Sequence, residues 1–439
     1  MYFLYSVLMA VGMVLLAPLF AVRGLRRGKY LASFSERMGH LPEAFARGTT
    51  HRSSIWVHAV SVGEVLAAKP LVEGLKQRFP DRRIFVSTTT ATGQRVARER
   101  ICFADGIFYF PFDWAGPIRR DFRRIQPALI VILETEIWPN FMREADRAGI
   151  PAVFVNSRIS ERSFRRFCRF KPLIGKFFER VLHNADLFLA QSPDDAQRLQ
   201  KMGAPADRIE VIGNLKYDHE PPPQSAFGNW LAQQIREQER WPVLVAGSVV
   251  AGEEEAVLAA YDIVQRQWRR ALFVLAPRKP ERFDSMVRAV EERGWKAVRR
   301  STLDMDIPLN ENADVLVLDS IGELAGLYSL ADAVFVGGSL VSSGGHNILE
   351  PAWFSKPPVF GSFMENFRDM AARFSSAGAG IQVSSGEQLG KAWVQLIRDS
   401  VRTAEMGRKA RALVDANRGA TARTLARISQ VLESARSGE

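Results

Sequence analysis

Leu129-Ile-Val-Ile-Leu133-Glu134-Thr-Glu136-Ile-Trp138-Pro-Asn140 contains an all-apolar run that stops abruptly at two carboxylates. The run reads as a strand of a parallel sheet, and the chemistry of open α/β sheets lies at the carboxyl ends of such strands. Charges at that point face a crevice, where Glu134 and Glu136 could bind hydroxyl groups or ease a developing positive charge. The competing reading is a helix N-terminus with Pro139 in its first turn.

Outward from this stretch, short runs rich in Val, Ile and Phe alternate with polar helical stretches, the pattern of βαβ units. Strands are predicted near 55–59, 83–88, 106–110, 129–133, 152–156, 187–190 and 210–213, which makes one doubly wound domain. A second series at 243–247, 271–276, 315–318, 333–337, 358–360 and 380–383 repeats the architecture. The boundary is set at 218–229, a linker with three consecutive prolines at 221–223. The first domain then covers 23–217 and the second 230–439, with a helical tail at 404–435 that could reach back across the linker. Two Rossmann-like domains facing across a cleft describe the GT-B fold class.

The 439 residues exceed the size at which one core stops growing, in keeping with two domains. Lys and Arg outnumber Asp and Glu by 59 to 48, which favours anionic partners. The basic clusters at 23–29, 119–124 and 162–171 carry no nucleic-acid fold signature, so a membrane surface or anionic glycolipid is expected and nucleic acid is not. Cys102 and Cys168 lack CxxC spacing, which points to a reducing compartment without disulfides. Residues 1–22 contain no charged side chain and are followed by Arg23, Arg26, Arg27 and Lys29. That order of charges predicts an uncleaved membrane-anchor helix with the body in the cytoplasm. Pro18, Tyr2 and Tyr5 leave open whether the helix spans or lies in one leaflet, and a buried helix capping the first domain is the plain alternative.

In the first domain, His58-Ala-Val-Ser61-Val-Gly-Glu64 runs from a strand through a Gly turn into a helix, placing Glu64 at a strand's carboxyl end. A carboxylate there can take the proton of an attacking hydroxyl; an acidic side chain in a first helical turn also simply suits the helix dipole. Lys216, in Gly213-Asn-Leu-Lys216-Tyr-Asp218, could neutralise a phosphate or carboxylate or be an ordinary surface lysine. In the second domain, Gly247-Ser248 and Pro277-Arg278 end strands and suit a nucleotide phosphate, with a plain βα loop as the alternative.

The block Gly337-Gly338-Ser339 through Gly344-Gly345-His346-Asn347-Ile348-Leu349-Glu350-Pro351 brackets a loop with two glycine pairs. Its main chain could reach a phosphate, a helix beginning near Asn347 would aim its positive end at that anion, and Glu350 could accept ribose hydroxyls. His346 fits a packing role as well as a ligand role. Asp304-Met-Asp306 has the spacing of a metal-holding pair but reads as a solvated loop, and no metal site is expected.

Taken in order, Ser61-Val-Gly-Glu64, Glu134-Thr-Glu-Ile-Trp-Pro-Asn140, Asn156-Ser-Arg-Ile-Ser160, Gly213-Asn-Leu-Lys-Tyr-Asp218, Ala276-Pro-Arg278 and the glycine block resemble the family of 3-deoxy-manno-octulosonic acid (Kdo) transferases. The resemblance spans nearly the whole chain. It implies a GT-B glycosyltransferase at the cytoplasmic face of the inner membrane that moves Kdo from CMP-Kdo to a lipid A precursor with inversion, using no metal or other cofactor. It also implies Glu64 as general base and Glu134 and Lys216 as transition-state stabilisers. Pro277, Arg278, Ile321, Gly322, Glu323, Asn347, Ile348, Leu349 and Glu350 match its CMP contacts, and Ser248 joins them by position. Lys279 and Ile348 depart from the family's frequent His and Pro, which bears on the phosphate contacts and leaves the donor class unchanged. A transferase or epimerase using a UDP-sugar, and a membrane-surface scaffold without activity, are the rival readings.

Overall fold

The computed structural model describes residues 1–27, 30–45, 54–218 and 224–437. The apolar run that opened the sequence is a strand, β4 (Pro127–Leu133), with all seven residues buried. It lies in a sheet with β1 (Ser54–His58), β2 (Arg83–Thr88), β3 (Gly106–Tyr109), β5 (Ala152–Ser157), β6 (Leu187–Ala190) and β7 (Ile209–Val211). Every pairing is parallel, in the order β3-β2-β1-β4-β5-β6-β7. Both faces are covered: Trp56, Phe85, Phe141 and Phe154 enter one core and Ile55, Val57, Val86 and Val131 the other. That is why these strands read as continuous apolar runs instead of alternating ones.

A second parallel sheet joins β8 (Val243–Val249), β9 (Leu272–Pro277), β10 (Ala297–Arg299), β11 (Val315–Val317), β12 (Ala333–Val336), β13 (Pro358–Phe360) and β14 (Ile381–Gln382). Its order is β10-β11-β9-β8-β12-β13-β14. The sequence reading lacked β10. This edge strand has three residues, none fully buried, and one of them is Arg299, so it carries no apolar run.

In both sheets the chain winds outward on one side and then returns to continue on the other. The reversal falls between β1 and β4 in the first sheet and between β8 and β12 in the second. At such a switch point the loops on the two strands diverge above and below the sheet and leave a crevice at their carboxyl ends.

The chain divides into one unit made of Met1–His219 with Asn417–Glu439, and another of Glu220–Ala416. The tail therefore packs with the first unit from Asn417 onward. It consists of two helices, Ser400–Ala416 and Ala420–Ser437, separated at Gly419, whose φ of +91° a helix cannot continue through. The prolines at 221–223 and Lys29 lie outside the described residues.

Residues Tyr2–Arg27 form a helix. Its start packs on the first unit: Tyr2 Oη accepts from Asn184 Nδ2 at 3.2 Å, Asn140 Nδ2 donates to Ser6 Oγ at 3.0 Å, and the Tyr2 and Phe177 rings meet edge to face. Phe3, Leu4 and Leu8 on the same turns are exposed. Among the described residues no helix is long and apolar enough to cross a membrane.

Candidate functional site

Glu64 lies in the first turn of the helix Val62–Arg78, directly after β1. Ser61 caps that helix, its hydroxyl accepting from the Glu64 N–H at 3.5 Å. The Glu64 carboxylate turns back, Oε1 accepting from Ser61 Oγ at 2.7 Å and Oε2 from the Val60 N–H at 2.8 Å. This is a variant of the capping box, and it fixes the side chain in one rotamer. Glu64 therefore serves the helix terminus, as one of its two sequence readings had it, and does so at the switch-point end of β1. The side chain is buried, and burial pushes its acid up to about 7; neighbouring Glu134 and Glu136 push the same way, while the bonds from Ser61 and Val60 oppose them.

Glu134 follows β4 in the left-handed region, φ +54°, with its N–H donating to Val155 O at 2.8 Å. Lys216 Nζ approaches Glu134 Oε1 at 3.4 Å, both side chains being partly buried. Thr135 holds the loop through paired bonds with the Arg158 main chain at 2.6 and 3.0 Å. Burial, then the charge of Glu134, raises the Glu136 acid. Glu64, Glu134, Glu136 and Lys216 thus form one electrostatic cluster at the reversal between β1 and β4.

Asn156 supports this cluster, a role the sequence reading missed. It sits at the end of β5 with φ +59°, and its Oδ1 accepts from the Leu215 N–H at 3.0 Å, fixing the turn that carries Lys216. A non-glycine residue in the left-handed region at a strand end is tolerated best by Asn, which was the available signal. His58, by contrast, is structural. It is fully buried, stacks on Phe110 at 3.9 Å and bonds Ser87 Oγ through Nδ1, and burial depresses its pKa to about 3.

In the second unit, Ser248 has φ +58° in β8, and Gly247 beside it has no room for a side chain, since a Cβ would come 1.9 Å from Tyr328 Oη. Pro277 ends β9, and Arg278 follows, its N–H donating to Val249 O at 2.8 Å and its Nε to His346 Nε2 at 3.2 Å. His346 Nδ1 lies 2.8 Å from Gly337 O, so Nδ1 carries the proton and Nε2 accepts. His346 is therefore a satisfied packing residue that steers Arg278. Glu350 is partly buried near Arg278; desolvation raises its acid to about 7, against the opposing influence of Asn347 and Arg278.

The first glycine pair does not do what its sequence suggests. Glu253, wholly buried, accepts from the N–H groups of Gly338, Ser339 and Leu340 at 2.7, 2.8 and 2.8 Å and from Val250 at 3.0 Å. An internal carboxylate occupies the amides that the sequence reading offered to a phosphate. The only sequence signal was its place after a strand-ending Gly-Ser. The second pair, Gly344 and Gly345, has φ of +88° and +74° and shapes the approach to Asn347. The helix beyond begins at Leu349, not Asn347, and has five residues, so its dipole is short. Asn347 Oδ1 caps it from the Leu349 N–H at 3.2 Å, and Asn347 Nδ2 reaches Glu350 at 3.4 Å.

Ile321 is exposed beside Gly322 at φ +96°. Glu323 is held in a two-pronged pair with Arg300 at 3.1 and 3.1 Å, and Arg300 stacks over Phe227 at 4.1 Å. Leu324 reaches Gly247, which brings the 321–324 segment beside the end of β8. Asp304 accepts from the Asp306 N–H in an exposed turn, and among the described residues no group of three or more His, Cys, Asp or Glu could hold a metal ion.

Solved structures share this architecture. The UDP-GlcNAc 2-epimerase of Neisseria meningitidis bound to UDP-GlcNAc aligns over 82% of this chain and 98% of its own with a TM-score of 0.54 at 13% identity, a likeness of GT-B-like fold alone. In sequence, a 3-deoxy-D-manno-octulosonic acid transferase of Haemophilus influenzae is 31% identical over 434 residues, 98% of this chain and 99% of that protein. One from Bordetella pertussis is 33% identical over 384 residues, 84% and 86% of the two chains. Residues 32–219 match the family described as 3-Deoxy-D-manno-octulosonic-acid transferase (kdotransferase). With its two parallel-sheet α/β domains and these relatives along nearly its full length, the chain belongs to the Kdo transferases, a family of glycosyltransferases.

Proposed function

We propose that this chain transfers Kdo from CMP-Kdo to a glucosamine hydroxyl of a lipid A precursor, in one inverting displacement that requires no metal or other cofactor. The observation that carries the reading is Glu64: a buried carboxylate at a switch point, fixed by Ser61 and Val60, with an acid at about 7. A base of that strength is about half ionised at neutral pH and accepts a proton readily in its carboxylate form.

Glu64 takes the hydroxyl proton as the acceptor oxygen bonds to the anomeric carbon of Kdo. The bond from that carbon to the CMP phosphate oxygen breaks, and CMP leaves with the electron pair. Glu134 eases the positive charge that develops on the sugar, while Lys216 and Arg278 supply cations toward the leaving phosphate. CMP is held by Ser248, Pro277, Arg278, the 321–323 segment and the 347–350 turn, with Glu350 toward the ribose.

The acceptor is a lipid, and the helix Tyr2–Arg27 suits the same setting. One face docks on the first unit while Phe3, Leu4 and Leu8 stay exposed, as in a helix lying in one leaflet at the cytoplasmic face of the inner membrane.

The test combines nucleotide protection with product analysis. CMP is expected to raise the melting temperature more than UDP, and CMP-Kdo with a tetra-acylated lipid A precursor is expected to give a Kdo-bearing product by mass spectrometry. Glu64→Gln should keep the CMP protection and lose the transfer. Protection by UDP alone would favour a UDP-sugar enzyme, and no protection by any nucleotide would favour an inactive scaffold.

A further inference from the structure

We propose that Asp218 is a positioning residue for Lys216, acting by clamping the terminal helix Ala420–Ser437 to the turn that carries this lysine. The inference rests on the proposed function, in which Lys216 serves the transfer.

The first N–H groups of a helix lack partners within it, and a side chain at the N-cap ordinarily supplies one. Gly419, which precedes the terminal helix, has no side chain to offer. Asp218 replaces it from 201 residues away: Oδ1 accepts from the Gly419 N–H and Oδ2 from the Thr421 N–H. These are charge-assisted bonds at the positive end of a helix dipole, the strong kind.

The same helix meets the segment ahead of Asp218 repeatedly. Arg423 donates through Nε and Nη2 to Ile212 O at 3.0 and 2.7 Å, and Arg427 pairs with Glu210. Ala420 is fully buried in the core that includes Ile212 and Leu215. Asp218 itself is the last residue of the 3₁₀ turn Leu215–Asp218, two residues after Lys216. The turn is pinned at its start by Asn156 and at its end by the terminal helix, with Lys216 between the two pins. That placement matters because Lys216 reaches Glu134 at only 3.4 Å, a separation that a small shift of the turn would abolish. Sequence placed Asp218 at the start of a linker; the structure makes it a joint of the acceptor-side cluster.

A cap that serves stability alone predicts a lower melting temperature and equal fractional losses of activity in any background. A positioning residue predicts a loss that depends on Lys216. The experiment is a double-mutant cycle in the full-length chain with Asp218→Asn and Lys216→Ala, measuring kcat, donor KM and CMP protection, with Asp218→Ala as a second, fuller deletion. Asp218→Asn is expected to lower kcat by about ten- to a hundredfold with donor KM and CMP protection near wild type. In the Lys216→Ala background the same change is expected to cost less than about threefold. Multiplicative losses in the two backgrounds, or near-normal kcat in both Asp218 variants, would overturn the inference. Near-normal transfer by Lys216→Ala would instead overturn the role given to Lys216 in the proposed function.

Discussion

Replacing Glu64 by Gln separates the stability cost of the proposed base from its chemical use. In the folded chain the acid of Glu64 sits at about 7 against an ordinary 4.5, so the folded state holds this proton more tightly than the unfolded state does. The associated stability is fully present below pH 4.5 and is lost as pH rises through about 7. The difference corresponds to roughly 3 kcal/mol at the alkaline end. Glutamine keeps the shape, its carbonyl can accept from Val60, and the Ser61 hydroxyl can rotate to accept from the amide. Relative to wild type, Glu64→Gln should therefore gain stability with pH, from about zero at pH 4.5 toward roughly 3 kcal/mol at pH 8.5. In the first unit that is a melting difference of roughly 5–10 °C. Transfer should fall by a factor of about 100 or more, and the wild-type kcat/KM should rise with pH through an acid limb near 7. Thermal unfolding of both proteins from pH 4.5 to 8.5 gives the first quantity and initial rates give the second. A stability difference that stays flat across that range would refute the claim that Glu64 is held as a high-pKa acid.

Three further outcomes are expected. Glu253→Ala leaves four amide donors, two of them buried, without their carboxylate and should destabilise the second unit by about 3 kcal/mol or more, with CMP affinity reduced at least about tenfold by calorimetry; unchanged CMP binding would show that the loop holds its shape without Glu253. Gly247→Ala should cost about 1–3 kcal/mol through the Tyr328 hydroxyl, and Tyr328→Phe in the same chain should recover part of the loss in thermal unfolding, whereas equal losses with and without that hydroxyl would reject the contact as the cause. Chelation with EDTA should leave the rate of transfer from CMP-Kdo unchanged, and a rate restored only by a divalent cation would reject the metal-independent mechanism.

Much of the fold was legible because parallel strands covered on both faces must be apolar throughout, and a charge ends them. β4 and Glu134 show this directly. Helix starts were legible for a related reason: Ser61 and Glu64 have the spacing that satisfies exposed N–H groups locally. The edge strand β10 was not, since a half-exposed strand tolerates Arg and Ala and leaves no hydrophobic signature. In the glycine block the sequence reading offered the main chain to a phosphate, whereas the amides of 338–340 take a carboxylate from 85–87 residues away. Lys216 was singled out, yet Asn156 and Asp218, which hold its turn, were not, since each acts through a partner remote in sequence.

From the order of residues alone came whatever depends on near neighbours: the strands, the turns, the caps, the place of Glu64 and Glu134 at strand ends, and the likeness to Kdo transferases. Strand order, the reversals between β1 and β4 and between β8 and β12, the capping of the terminal helix by Asp218 and the raised acidity of Glu64 arose only on folding. The reason is that a carboxylate has the same sequence whether it is solvated, capping a distant helix or buried among other charges. Only the low-dielectric surroundings assembled by long-range packing tell these states apart.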